Sequence, residues 1–320
     1  VSGTAGTVVG IDIGGTSVRA GVLDPSDPDC RILEIVAAPT PHTVPETEDT
    51  LAGLVDVLRE RHSVRAVGLA VAGFVSTDRA RVMFAPHLAW RHDPVPEQLS
   101  ARIGLPVVMD HDVNSAAWAE YRHGAAAGSP VALLVALGTG IGAGLVVHGD
   151  IYRGAHGVAP ELGHVVVVPG GRPCPCGKRG CWERYCSGTA LADTARELAA
   201  DPAFAGQPAM GGDTGAPITG AMVAAAAEAG HPVALAAFAD LGRWLSVGLA
   251  MATDVLDPEV IVIGGGVVGA ARHFLPDAVA GMLAGITGHG HRPAPRVEVA
   301  RFGGLAGIIG GALLAADAVA

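Results

Sequence analysis

Residues Gly10–Val22 read GIDIGGTSVRAGV, and residues Ala136–Val147 read ALGTGIGAGLVV. In the first stretch and its flanks, the apolar run Val8–Ile13 predicts a buried strand. Gly14-Gly15-Thr16 predicts a tight turn, and Val18–Leu23 a second strand. The second stretch repeats the design: strand Val131–Leu137, turn Gly138-Thr139-Gly140, strand Gly142–Val147. The echo raises a duplicated domain as one reading, which the echo alone does not decide.

Outward from the first hairpin, Arg31–Ala37 is expected as a third strand and Pro39–Pro45 as a connection. Glu46–Arg61 has helical spacing through Leu51, Leu54, Val55 and Leu58. Arg65–Val71 is another strand, ending at Ala72-Gly73. Pro94–Ile103 is expected as a helix, Pro106–Met109 as a strand and Val113–Gly124 as a helix, with Asp110, His111 and Asp112 between those last two. Helices follow at Gly188–Ala200, Gly220–Ala229 and Pro232–Leu256. The strand Glu259–Ile263 runs into Gly264-Gly265-Gly266 and a helix. A short strand, Arg296–Val299, precedes an apolar helix at Gly304–Ala318. Asp201–Pro217, rich in Gly, Pro and Ala, is the least structured stretch. Three strands and then alternating helices and strands predict an α/β class with an antiparallel edge. Sites in such sheets lie at the carboxyl ends of strands, where residues 110–112 fall.

The densest chemistry is in Pro160–Glu183, PELGHVVVVPGGRPCPCGKRGCWE. His164, Cys174, Cys176 and Cys181 supply an imidazole and three thiols, a tetrahedral zinc set of the closed, structural kind. The glycines in the loop let the sulfurs converge. The competing reading is a disulfide plus an odd thiol. It is the weaker one, because no secretion signal is visible and thiols stay reduced in the cytosol. Cys30 and Cys186 lie outside the pattern and are expected to be buried or idle. Zinc needs only the four N/S ligands, so Glu161 and Glu183 are expected to do something else, namely to hold a polyhydroxylated substrate.

Composition narrows the partners. Of the 320 residues, 50% are hydrophobic and 16% charged, which fits a globular chain with room for two domains. Only 4% are aromatic, so the core must be aliphatic. The net charge of -10, with no basic block, argues against nucleic acid and anionic membrane. Residues Gly124–Val147 carry no charge but contain six glycines, and read as a buried hairpin rather than a membrane span. A cytoplasmic location is expected.

Two glycine turns and a glycine-rich strand-to-helix turn fit a phosphate cradle, because backbone N–H groups there can approach phosphate oxygens. Neither a P-loop nor a dinucleotide fingerprint is present. Taken together, GIDIGGTSVRAGV, LGTGIGAG, ELGH and CPCGKRGCWE resemble the ROK family of sugar kinases and repressors, and within it the actinobacterial glucokinases, over nearly the whole chain. The resemblance implies the actin-like, ribonuclease-H-like ATPase fold, with two α/β domains and an active-site cleft between them. A small domain would comprise residues 1–112 and 305–320. A larger one, 113–304, would carry zinc and most of a homodimer contact, a tetramer being the other possibility.

What the resemblance implies for residues is specific. Asp112 is the expected general base, a weak one that phosphoryl transfer tolerates because its transition state is loose. The alternative for Asp112 is a helix cap. Asp12 would stand on the Mg²⁺ side, through water; otherwise it is a strand-end turn residue. Gly14, Gly15, Thr16, Gly138, Thr139 and Gly140 would contact the phosphates of ATP, and Gly264, Gly265 and Gly266 would face the adenosine. Glu161, His164 and Glu183 would bind the sugar, with Gly73 in the same pocket. His164 would use one ring nitrogen for zinc and the other side for a hydroxyl. In the competing reading, both glutamates are partners of the zinc ligands.

Two departures stand out. The family's glucokinases have Pro-Asn where this chain has Pro86-His87, and Asn-Asp where it has His111-Asp112. Two such swaps point to a different acceptor, C7-cyclitols being one class and other hexoses such as N-acylmannosamines another. The bland alternative is a pocket that still takes glucose. The family's repressors carry a helix-turn-helix ahead of the first hairpin. Here nine residues precede Gly10, so DNA binding is not expected.

Overall fold

The computed structural model describes residues 6–208, 210 and 217–320. The chain divides into two compact units. Unit 1 holds residues up to Leu134, Gly144–Pro160 and Ala300–Ala320; unit 2 holds Val135–Ala143 and Glu161–Val299.

Unit 1 is built on a sheet of β1 (Thr7–Ile13), β2 (Ser17–Leu23), β3 (Ile32–Pro39), β4 (Val64–Val71) and β7 (Val107–His111). Its order is β3-β2-β1-β4-β7. The hairpin pairs β1 with β2 and β2 with β3 are antiparallel; β1–β4 and β4–β7 are parallel. Helix α1 (Val44–Arg59) intervenes before β4. Two short strands, β5 (Phe74–Val75) and β6 (Val82–Phe84), pair as a small ribbon that hydrophobic spacing did not predict, being too short to show a period. Helices α2 (Val95–Ile103) and α3 (Asp112–His123) flank β7.

Because side chains alternate along a strand, β1 serves two cores. Val9, Ile11 and Ile13 enter one cluster with Leu51, Leu58 and Trp90. Val8 enters the other with Ile309 and Leu313 of α8 (Ala306–Ala318). On this second face Gly21, Gly10 and Gly68 lie in register across three strands. A Cβ on Gly10 would sit 1.8 Å from the Ile308 carbonyl oxygen, and one on Gly68 1.8 Å from that of Gly311. The missing side chains let α8 lie directly on the sheet backbone.

The second sheet comprises β8 (Val131–Leu137), β9 (Ile141–Val147), β10 (Asp150–Ile151), β11 (Val260–Gly264) and β12 (Arg296–Val299). Its order is β10-β9-β8-β11-β12. Counted within each sheet, both orders run third, second, first, fourth, fifth. In both, the last pair is parallel. The echo in the sequence is therefore an echo in topology.

Unit 2 adds α4 (Gly188–Ala199), α5 (Gly220–Glu228), α6 (Pro232–Leu256) and α7 (Leu275–Gly285). By length and composition α6 could span a membrane, but half of its apolar window is buried. It packs on α4, α5 and α7 within this unit. Between β11 and α7 the chain forms a 3-10 segment, Gly266–His273. Of the stretch 201–217, residues Pro202–Phe204 form a 3-10 turn; 209 and 211–216 lie outside the described residues, as do 1–5.

Candidate active site

In unit 1 the expected base stands where a strand becomes a helix. Asp110 and His111 close β7 and Asp112 is the first residue of α3, so these three are not a separate loop as the spacing implied. The carboxylate of Asp112 uses one oxygen for structure: Oδ1 accepts from the Val113 N–H at 2.7 Å and faces His111 Nε2 at 3.1 Å. Its side chain is 34% exposed. Both contacts fall on Oδ1, and among the described residues none bonds Oδ2.

Asp110 is what makes the junction rigid, and nothing in its spacing marked it as special. It is buried, and both oxygens are occupied. Oδ1 accepts from the His111 N–H and from Asn114 Nδ2, each at 2.9 Å. Oδ2 accepts from Arg153 Nε at 3.0 Å and Nη2 at 2.5 Å. Arg153 follows the β9–β10 hairpin, over 40 residues downstream, so only the folded chain reveals the pair.

Asp12 closes the α8 side of β1. Its Oδ2 accepts from Arg19 Nη2 at 2.5 Å, and the same nitrogen reaches the Gly304 carbonyl at 2.9 Å. Burial pushes the Asp12 carboxyl above its usual range, Arg19 opposes that, and the Asp112 charge adds to it. Arg19 was legible in principle, since the hairpin register that pairs Ile13 with Val18 also pairs Asp12 with Arg19. A single carboxylate with one oxygen already held suits Mg²⁺ bound through its own water, because Mg²⁺ dehydrates reluctantly.

The other unit 1 candidates sit on turns. Gly15 and Thr16 are exposed at the hairpin tip, and the Gly14 carbonyl accepts from the Thr40 hydroxyl at 2.6 Å. A Cβ on Gly15 would come within 2.9 Å of His87 Cβ, so His87 lies against that tip. Gly73 is packed on Ala85 at the base of the β5–β6 ribbon. The loop carrying His87 is pinned by Arg91, whose Nη1 donates to the carbonyls of Ala85, Leu88 and Trp90 at 2.6–2.9 Å.

In unit 2 the proposed metal ligands converge. The ligand atoms of His164, Cys174, Cys176 and Cys181 all lie within 4.8 Å of one another. Cys174 Sγ is 3.7 Å from His164 Nδ1, and Cys176 Sγ is 3.6 Å from Cys181 Sγ. A tetrahedron with Zn–S arms of about 2.3 Å has edges of about 3.8 Å. The set fits zinc, and every cysteine in it is a free thiol. Gly177 (φ 90°) and Gly180 (φ 80°) turn the loop through left-handed backbone. Cys30 and Cys186 are buried, and burial pushes both thiols up in pKa.

The two flanking glutamates touch this set. Glu183 Oε1 lies 3.1 Å from Cys174 Sγ and 3.6 Å from His164 Nδ1. Glu161 Oε2 lies 3.8 Å from His164 Nε2. His164 therefore presents Nδ1 to the sulfurs and Nε2 to Glu161. A Cβ on Gly140 would fall 2.5 Å from Glu183 Oε2, which places that carboxylate on the second glycine turn.

A cavity of about 820 Å³ opens beside the same turn. That is within the size range of small-molecule sites. Gly138, Thr139 and Gly266 line it, together with the start of α4 and one face of α5. Gly188 N–H donates to the Gly138 carbonyl at 2.8 Å and the Thr189 hydroxyl to that of Thr139 at 2.8 Å, fixing α4 to the turn. Gly140, Gly264 and Gly265 are not on this wall; Gly265 lies on the Leu137 backbone beneath it. The α4 and α5 contributions escaped sequence reasoning because small residues on a helix carry no motif.

Two sheets of matching order, each opening on a glycine hairpin, define an actin-like α/β fold of the ATPase type. The sequence pattern of the ROK family matches residues 8–318, and the chain belongs to that family. It is 39% identical over 314 residues to a glucokinase of Streptomyces coelicolor, covering 98% of each chain. A solved ROK glucokinase from Streptomyces griseus, in complex with glucose and AMPPNP, superimposes with a TM-score of 0.86 at 41% identity over 98% of this chain and all of that one. A ROK hexokinase from Thermus thermophilus matches with a TM-score of 0.77 at 32% identity, covering 98% of this chain and 99% of its own.

Proposed function

We propose that the protein is an ATP-dependent kinase that phosphorylates the primary hydroxyl of a hexose or hexose-like polyol. The observation that carries this is Asp112: a partly exposed carboxylate at the start of a helix, with one oxygen anchored and the other bonded to none of the described residues. In this reading Asp112 Oδ2 accepts the proton of the attacking hydroxyl and orients that oxygen. Glu161, His164 Nε2 and Glu183 hold ring hydroxyls, and Gly73, His87 and His111 are assigned to acceptor binding as well. The turns at Gly14–Thr16 and Gly138–Gly140 bind phosphate oxygens, and the Gly264–Gly266 turn faces the adenosine through Gly266, its residue on the cavity wall. Asp12 would hold Mg²⁺ through water, and that ion would neutralise charge on the transferred phosphoryl group. Zinc on His164, Cys174, Cys176 and Cys181 would keep His164 and both glutamates in fixed positions. The enzyme works in the cytoplasm, where ATP is, and as a homodimer.

The acceptor is the open part of the proposal. His111 Nε2 is committed to Asp112, so a donor that an asparagine would offer to a sugar is instead spent on the base. That favours an acceptor other than glucose, a C7-cyclitol being one candidate. The test is ADP release by purified protein over a panel of hexoses and cyclitols. ADP release that depends on one of them is the expected result; a protein that releases no ADP with any polyol would refute the kinase reading.

A further inference from the structure

We propose that Glu228 selects the base of the phosphoryl donor by accepting a hydrogen bond from the exocyclic amine of adenine. This rests on the kinase reading above, and it concerns the end of the cavity remote from the glycine turn.

The cavity has a direction. At one end are Gly138 and Thr139. Gly188 is hydrogen-bonded to Gly138, and a Cβ on Gly220 would lie 2.8 Å from the Gly188 carbonyl oxygen. The first residue of α5 is therefore stacked on the start of α4, which is itself bonded to the turn. The helix then runs along the wall, where Ala221, Ala224, Ala225 and Glu228 all line the cavity. These are the i, i+3, i+4 and i+7 positions of one helix face. Eight residues of rise put Glu228 about 12 Å from Gly220, on the order of the length of a nucleoside.

The wall between is built for a flat apolar ring. Three alanines of α5 face inward, with Ala192, Val267 and Ala270 also on the lining. Of the hydroxyls on the lining, that of Thr189 donates to the Thr139 carbonyl and that of Thr219 accepts from the Met222 N–H as the cap of α5. Among the described lining residues only Arg196 and Glu228 are charged. Arg196 donates to Asp193 at 2.7 Å and has no acceptor to offer.

Glu228 is paired as well, but it is an acceptor. Its Oε1 faces His273 Nε2 at 3.1 Å, and its Oε2 pairs with Arg272. The His273 ring is itself packed on Phe238, a lining residue, with centroids 5.6 Å apart. The carboxylate is thus held from behind by two basic side chains. Each oxygen can accept more than one hydrogen bond, so acceptor capacity remains on the cavity side. Adenine offers an amine at C6. Hypoxanthine and guanine offer a carbonyl oxygen there, which a carboxylate repels.

The test compares ATP, ITP and purine riboside triphosphate, which carry an amine, an oxygen and a hydrogen at C6. Each is offered to the full-length protein with the best acceptor from the panel. A hydrogen bond to a charged group predicts kcat/KM for ATP about tenfold or more above the other two. In Glu228→Gln the ATP value should fall about tenfold while that for ITP holds or rises, because an amide can donate to the oxygen. Thermal melting should change little, since the substitution keeps size and the pairs with Arg272 and His273 that it weakens lie at a half-exposed helix end. Equal use of ATP and ITP, a preference for ITP, or an equal loss for both donors in the variant would overturn the inference and leave the kinase reading intact. If no nucleoside triphosphate supports turnover, the kinase reading falls and this inference with it.

Discussion

His111 precedes Asp112 and touches it, and His87 rests on the first glycine turn. An asparagine in place of either would be shorter and would bring both a carbonyl acceptor and an amide donor. Restoring both, His87→Asn with His111→Asn, should raise kcat/KM for glucose and lower it for the native acceptor. Steady-state kinetics on both acceptors check this. A wild type that already prefers glucose, with no change in the double variant, would make the histidines incidental. Arg153 offers a separate test. Removing it leaves the buried Asp110 carboxylate without its cation, and breaking such a pair costs about 3–5 kcal/mol. Arg153 is itself partly exposed, so Arg153→Met should destabilise unit 1 by about 3 kcal/mol in denaturant melts and lower kcat. Arg153→Met combined with Asp110→Asn should recover part of the stability, because no buried charge is then left unpaired.

Among the elements, the loop carrying His164, Cys174, Cys176 and Cys181 is where local chemistry most nearly dictates local structure. Its hairpin is only a few residues long, held by bridges Val166–Cys181 and Pro173–Arg179. Structural zinc is worth roughly 10–16 kcal/mol in small finger peptides, comparable to a whole domain's stability. Metal analysis should find one zinc per chain, and Cys176→Ser should lose both metal and activity. After chelation, alkylation followed by mass mapping should label Cys174, Cys176 and Cys181, because the short loop that buries Cys174 and Cys181 loosens without its metal, and should spare Cys30 and Cys186, which stay buried. Active protein without zinc would contradict this. The loop was legible because its ligands and glycines are contiguous, as were the strands around the glycine turns, whose apolar runs are long enough to show. The β5–β6 ribbon and the base of the Asp112 junction were not. Two- and three-residue strands have no period, and the Asp110–Arg153 and Arg91–loop contacts join residues by tertiary packing alone.

For the molecule as a whole, the repeated sheet order and the glycine hairpin at the head of each sheet were visible as an echo between residues 10–22 and 136–147. What the echo could not reveal was how α8 returns to the first sheet. That depends on Gly10 and Gly68 being neighbours in a parallel pair, which requires the register between distant strands. It also could not reveal that α5 supplies one wall of the cavity in the second unit. Both features serve the same end in this account: rigid elements that carry a base in one unit and a donor site in the other. The measurement that tests the account most directly is the turnover of Asp112→Asn, which keeps the side chain's size and removes the charged acceptor. The account predicts a folded protein with wild-type melting that still binds its acceptor and ATP, with kcat reduced by several orders of magnitude. A variant that retains a tenth of the wild-type rate would contradict it.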